Sequence, residues 1–526
     1  MTSRDFNELA QALTRAISAY TAGKLVDAEQ LCQQIISSKS DHVDALHVLA
    51  VVQAALGKSD LALASYDRAL ALRPDFADAL SNRGNTLLAL NRFDEALESY
   101  DRALVLRPDF AEALSSKGSA LEKANRLDEA LASYDRALAL RPDFTNALYN
   151  RGNVLKALKR YGEALASYDH AIALQPGYAD AHNNRGQVLK ELMRYDEALA
   201  SYDRALVLQP QNIMVHCNAA SLRLLTGDFS RGWADYEWRW MKKSVVLANR
   251  ILPQPLWLGG ETIAGKTILL HSEQGLGDTI QFCRYVPLVA ARGAQVIFEV
   301  QKPLHALMSD LAGATQVISK GSPLSAFDIH CPLLSLPLAF GTRLETIPSA
   351  KAYLSAPARQ SMNWQTRLGA KRHPRIGLAW SGNAGHERDR ERSIGLRDLL
   401  PLLDAEATFV SLQKEVRAED TVVLKERGDI LHVADELKDF SDTAALISQL
   451  DLVISVDTSV AHLAGALGKP VWILVTYVPD WRWLLNRDDS PWYPTARLFR
   501  QPDIDDWESV IARVHESVRS FIDSRG

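Results

Sequence analysis

The sequence predicts an all-α repeat solenoid followed by an α/β half made of two parallel-sheet lobes. Three observations carry this. Prolines fall 34 residues apart at Pro74, Pro108, Pro142, Pro176 and Pro210. All eleven tryptophans, and sixteen of the 21 prolines, lie beyond residue 232. From residue 266 onward, apolar strand-length runs alternate with helical patterns, which is how parallel strands are joined.

The bulk numbers narrow the field. A chain of 526 residues is too long for one core. With 47% hydrophobic and 23% charged residues it has an ordinary globular mixture. A net charge of −5 gives no electrostatic case for nucleic acid as the main partner. The N-terminus "MTSRDFNELAQALTRAI" lacks a signal-peptide core, and no run reaches the length of a membrane span. Cys32, Cys217, Cys283 and Cys331 lie far apart with no CxxC pair, so they read as reduced thiols. A cytoplasmic protein with no cofactor and no metal is expected.

The first half repeats almost letter for letter. "ALASYDRALALRPDF" occurs at 62–76 and again at 130–144. Tyr66, Tyr100, Tyr134, Tyr168, Tyr202 and Tyr236 keep the 34-residue step, as do the small residues Ala50, Gly84, Gly118, Gly152, Gly186 and Ala220. Each unit reads as two amphipathic helices. The small residue allows close approach, the aromatic fills the gap, and proline ends the second helix. The pattern resembles tetratricopeptide repeats, over about seven units. Polar positions recur six and nine residues into the units, among them Asn82, Asn85, Asn150, Asn153, Asn184 and Asn218. In the tetratricopeptide family these positions line a groove. Amides both donate and accept, so such a ladder suits an extended polypeptide. The plainer alternative is a solvated polar face.

The expected layout is a repeat superhelix at 1–245, an aromatic connector at 246–264 and two lobes at 265–370 and 371–526. The connector region's tryptophans are expected to pack the array against the α/β half. "KTILLHS" and "AQVIFEV" read as strands of the first lobe. "RIGLAWS", "ATFVSLQ", "LDLVISVD" and "PVWILVT" read as strands of the second. The lobes are expected to be Rossmann-like, with ligand at the carboxyl ends of the strands. "WESVIARVHESVRSFID" reads as a terminal amphipathic helix.

Three loops carry candidate chemistry. "EQGLGD" contains Gln274, Gly275, Gly277 and Asp278. It is weak as a dinucleotide fingerprint, because Ile280 stands where a third glycine is needed, although Glu299 ends the next strand as that alternative requires. "SVDTSVAHLAGALG" contains Asp457, Thr458, Ser459, Val460 and His462 after an apolar strand. A helix start with added hydroxyls is a diphosphate site in type, and plain N-capping is the alternative. "AWSGNAGHERDRERSIGL" contains Ser381, Asn383 and Arg392 within a charged loop that also holds Glu387 and Arg388. Of these charges, Arg392 is the one placed to neutralise a phosphate. Gln413 and Lys414 follow the strand "ATFVSL", where a loop can touch a nucleoside. Asp442 of "DFSDTAALI" reads as a capping residue. "DID" at 503–505 lies in a polar stretch and is not read as a metal motif.

The second half resembles the heptosyltransferase-type, family 9 glycosyltransferases, over about residues 265–520. That resemblance implies the GT-B fold and inverting, metal-independent transfer from a nucleotide-sugar. It implies that Gly277-Asp278 faces the acceptor, with Asp278 as the base. It implies that Asp457 to Ala464 holds the donor diphosphate, and that Arg392 contacts the phosphates. Two departures stand out: His271 replaces an arginine, and an arginine replaces a lysine. The segment "PDWRWLLNRDDSPWYPTARLFRQ" resembles a subclass with repeats in front, which includes enzymes that glycosylate flagellin and other proteins. The resemblance therefore implies a polypeptide acceptor. A repeat scaffold with a degenerate transferase half, and a transferase acting on glycan or lipid, are the alternatives.

Overall fold

A computed structural model describes residues 3–242, 252–385 and 389–525. Glu387 and Arg388, and the start of the expected connector at 246–251, lie outside the described residues. The chain divides into two compact units, Met1–Pro210 and Gln211–Gly526.

The first unit is all helical. Among its described residues, twelve helices run from Ser3–Thr21 to Tyr195–Leu208. They pair as the repeat predicts, for instance Ala77–Ala89 with Phe93–Leu106 and Thr145–Ala157 with Tyr161–Leu174. The small-residue rule has a direct cause. A Cβ added at Gly84 or Gly152 would stand 2.6 Å from the ring of Tyr100 or Tyr168, sixteen residues later. These rings are fully buried between the paired helices. The turn inside each pair passes through a left-handed residue, which is glycine at Gly23 and Gly57 but Asn91, Asn125, Lys159 and Met193 further on. Arginine–glutamate pairs repeat along the surface, such as Arg92–Glu95 and Arg126–Glu129. Exposed pairs of this kind add little stability.

The second unit begins with the last two repeat helices, Ile213–Leu225 and Phe229–Tyr236. Two wholly parallel sheets come after them. The first has the order β3-β2-β1-β4, from β1 (Thr267–His271), β2 (Gln295–Val300), β3 (Gln316–Ser319) and β4 (Ile329–Pro332). The second has the order β10-β9-β8-β5-β6-β7. Its strands are β5 (Arg375–Ala379), β6 (Thr408–Ser411), β7 (Ile430–His432), β8 (Leu452–Val456), β9 (Val471–Val475) and β10 (Ala496–Arg500). Together they form the expected pair of α/β lobes. Strands β5, β8 and β9 are buried at every position, which explains their unbroken apolar runs. The terminal helix Trp507–Asp523 buries Val510, Ile511, Val514 and Val518 against the second sheet.

Several segments between the strands are short or interrupted helices. "DTIQFCRYVPLVAARG" forms two short helices, Leu276–Phe282 and Val286–Ala290, joined by a 3-10 turn. Pro287, which has no N–H to donate, stands at the start of the second. "PLHALMSDLAG" supplies only the single turn His305–Met308. The residues after Arg392 form a 3-10 segment, Leu396–Asp404, with Pro401 inside it. The tryptophans pack as expected within this unit. Trp233 Nε1 donates to Thr342 O at 3.1 Å, and its ring meets Trp481 edge-on at 5.3 Å.

Candidate active site

The sheet orders locate the site. In the first sheet β1 lies between β2 and β4, and in the second β5 lies between β6 and β8. The connections leave these central strands in opposite directions, so a crevice opens at their carboxyl ends. The loops after β1, β5, β6 and β8 line one cavity of about 1440 Å3.

The loop after β1 is held rigidly. Glu273, its side chain 1% exposed, makes a bidentate pair with buried Arg239 at 2.8 and 2.9 Å. Leu334 N and Ser335 Oγ complete the network. Burial raises the Glu273 carboxyl above its usual range, and Arg239 opposes this. Gly275 caps the helix Leu276–Phe282, and Asp278 at its third position reaches back to accept from Gly275 N at 2.8 Å. The other Asp278 oxygen accepts from Arg482. Gln274 is exposed and donates to Tyr236 Oη at 3.3 Å.

The loop after β8 supplies an open helix start. Thr458 occupies the N-cap position of Ser459–Ala466 but makes no side-chain cap bond, pairing with Ser455 Oγ at 3.2 Å instead. Its hydroxyl therefore leaves the first N–H groups of the helix to face the cavity beside Ser459 and Val460. The alternative of plain side-chain capping by Thr458 is not what forms. Arg392 donates to Asp457 O at 3.1 Å, and its buried Nε has no hydrogen-bond partner among the described residues. Gly382 makes room for it, since a Cβ there would stand 2.7 Å from an Arg392 nitrogen.

Asp457 and His462 depart most from their ordinary ionisation. Burial, and next the Asp480 carboxylate, raises Asp457 to about 6. Burial, and next the Arg482 charge, lowers His462 to about 3, so its imidazole is neutral at pH 7. His462 bonds Tyr493 Oη at 2.8 Å and stacks on Trp483 at 5.5 Å. It lines the cavity as a neutral ring.

The remaining predicted residues divide. Ser381 is buried with its Oγ unpartnered among the described residues, and Asn383 is exposed and accepts from Gly385 N at 2.8 Å. Gln413 lines the cavity, but its amide is engaged by backbone: it accepts from Trp380 N and Ser381 N and donates to Ser381 O and Glu415 O. It shapes the loop after β5. Asp439 is the N-cap of Phe440–Ser448, and Asp442 accepts from Lys438 N, so the pair caps the helix together.

The asparagine ladder lies in both units. In the first unit Asn85 and Asn153 accept from Tyr100 Oη and Tyr168 Oη at 2.8 and 2.7 Å, which spends their carbonyls on the repeat core. Asn82 bonds His47 at 3.0 Å, and Asn184 donates to Tyr149 Oη and to Asn153. Asn150 is half-buried and bonds Tyr134. Asn218 belongs to the second unit, where it lines the cavity with Cys217 and Ser221.

Sequence reasoning passed over Arg482 and its neighbours. Its guanidinium holds Asp278, Asp480 Oδ1 at 2.8 Å and Gln281 Oε1 at 2.7 Å, and lies over Trp481. The one available signal was the "PDWRWLL" segment, which marked a subclass but no role.

Among the described residues, no helix is long and apolar enough to cross a membrane. Comparison with known proteins supports both halves. Residues 81–143 and 179–212 match tetratricopeptide repeats, and 52–91 and 152–192 match a related repeat description. Residues 413–483 match glycosyltransferase family 9 (heptosyltransferase), which includes the loop after β8. Protein FlbA of Caulobacter vibrioides is 26% identical over 333 residues, 59% of this chain and 55% of that protein. The chain thus spans about half the length of that relative. Among solved structures, YrrB, described as a tetratricopeptide protein with an unusual peptide-binding site, is 25% identical with a TM-score of 0.31, covering 35% of this chain and 95% of that one. A tetratricopeptide repeat protein from Parabacteroides merdae is 19% identical with a TM-score of 0.38, covering 46% and 96%. The chain therefore carries tetratricopeptide repeats, followed by a segment at 413–483 that matches glycosyltransferase family 9.

Proposed function

We propose that the protein is an inverting GT-B glycosyltransferase that moves a sugar from a nucleotide-sugar to a polypeptide recruited by its repeats. One observation carries this reading: Asp278 from the first lobe and the Asp457–His462 loop from the second line the same cavity.

The division of labour follows from charge. The donor diphosphate sits on the helix start at Ser459 and Val460, with Arg392 beside it. The acceptor hydroxyl enters from the side of Gln274, Gly275 and Gly277. Its oxygen attacks the anomeric carbon, and its proton passes to Asp278. The bond from that carbon to the diphosphate oxygen breaks, and the electron pair leaves with the diphosphate, where Arg392 and the helix N–H groups meet the new charge. Asn218 lies in the same cavity wall, which brings a ladder amide to the acceptor side and favours a polypeptide. Flagellin is the first acceptor to try, because the repeat-plus-transferase resemblance includes enzymes that modify it.

The test is a thermal-shift titration with UDP, GDP, ADP, TDP and CMP, followed by a transfer assay with the stabilising donor class. A ligand at 100 times its dissociation constant adds about 2.7 kcal/mol of stability. Asp278→Ala is expected to bind the nucleotide and lose transfer. Near wild-type transfer by a folded Asp278→Ala protein would sink the assignment of the base.

A further inference from the structure

Arg482 touches groups from both lobes in a way the proposed reaction does not yet use. Its three nitrogens are shared among Asp278 and Gln281 of the first lobe and Asp480 of the second. Its side chain is only 10% exposed, yet it lines the same cavity as Arg392 and the helix start at Ser459. Its charge acts on Asp457 and His462 in the donor loop. Asp278 has both oxygens engaged, one by Gly275 N and the other by Arg482. An acceptor hydroxyl therefore has to share an Asp278 oxygen with one of these donors.

We propose that Arg482 exchanges partners on donor binding, leaving the Asp278 carboxylate for the nucleotide's diphosphate and so exposing the base only when donor is present. This rests on the transferase reading above. The exchange moves no proton, because the guanidinium stays charged throughout. A guanidinium N–H donates to phosphate as well as to carboxylate, so the two anions compete for Nη2, the one nitrogen that holds Asp278. Without diphosphate the base is covered, and with it the base faces the acceptor side. Asp480 and Gln281 keep the arginine stem in place while its tip changes partner.

The prediction that separates this from a merely structural ion pair is a competition. Asp278→Asn removes the rival anion, so diphosphate should bind more tightly, by about tenfold. Arg482→Gln should bind it more weakly. In the double variant Asp278→Asn with Arg482→Gln, the gain should vanish, because it runs through Arg482. Calorimetric titration of the full chain, using whichever of UDP, GDP, ADP and TDP stabilises the wild type most, gives all four affinities. Melting temperatures without ligand confirm that each variant is folded. If the gain survives in the double variant, simple removal of negative charge explains it and the exchange is wrong. An Asp278→Asn affinity equal to or weaker than wild type also overturns it. If no nucleoside diphosphate binds the wild type, the donor reading itself fails, and the exchange falls with it.

Discussion

Gly277 and His462 meet across the two lobes: a Cβ built on Gly277 would stand 2.7 Å from His462 Cδ2. The imidazole cannot yield, because Tyr493 Oη holds it at 2.8 Å and Trp483 stacks on it. Gly277→Ala should therefore push the lobes apart at the cavity floor. Overpacking of this kind costs about 1–3 kcal/mol. Transfer should fall more than stability does, since the base and the donor loop separate. A melting curve and a transfer rate measured on the same sample check this, and unchanged transfer would show that the lobes need not meet there.

Arg392 should carry donor affinity. Its Nε makes no hydrogen bond among the described residues and only a 3.7 Å ion pair with Asp389, while its Nη1 donates to a backbone oxygen of the donor loop. A charge-assisted bond to phosphate is worth about 1.5–3 kcal/mol. Arg392→Ala should weaken nucleotide binding by about tenfold or more on that scale. The unliganded melting temperature should change little. Calorimetry on the folded variant decides it.

Donor binding should weaken as pH rises through about 6. Asp457 is raised to about 6 by burial and by Asp480, above its value in the unfolded chain. Its contribution to folding is therefore complete below the unfolded value, and is lost as pH rises through about 6. The same ionisation places a negative charge under the diphosphate. His462 works in the opposite sense for stability. Lowered to about 3, it contributes above its unfolded value and loses that contribution as acid protonates it. Nucleotide affinity measured from about pH 5 to about pH 7.5 should show the decline in wild type and a flatter profile in Asp457→Asn, which has no carboxyl to titrate.

The amide ladder should separate recruitment from chemistry. Replacing Asn150 and Asn184 with alanine should weaken modification of a protein acceptor while sparing donor hydrolysis. Asn184 also bonds Tyr149 and Asn153, so its loss should cost about 1 kcal/mol of stability as well. Equal loss of both activities would reject the ladder as an acceptor site.

Within the repeats, Gly152→Ala should destabilise the first unit. The added methyl would stand 2.6 Å from the fully buried Tyr168 ring. The cost should be about 1–3 kcal/mol. Chemical denaturation followed by circular dichroism should show the change in the helical signal.

The repeats were legible because their information is local. A 34-residue step places a glycine and a tyrosine on facing helices within one unit, and no distant residue is needed to interpret it. The strands were legible for a similar reason. Burial on both faces of a parallel sheet demands an unbroken apolar run, as in "LVISV" and "VWILV". The Asp457–His462 loop could be read because its small residues and hydroxyls come directly after such a run. Short strands such as β3 and β7 escaped, because three or four residues carry too little pattern.

The tertiary structure alone decided what these groups touch. Asp278 and Arg482 are separated by 204 positions, and no spacing rule connects them. Gln413 reads like a ligand contact in sequence, yet its amide is consumed by the backbone of the loop after β5. Asn218 keeps its place in the repeat ladder, but packing assigns it to the second unit and to the wall of the cavity. The ionisation of Asp457 and His462 follows from burial and from charges brought in by remote segments. Periodicity records which face of an element is apolar. The partner of a polar group depends on how the elements close over one another, and that is a property of the folded chain.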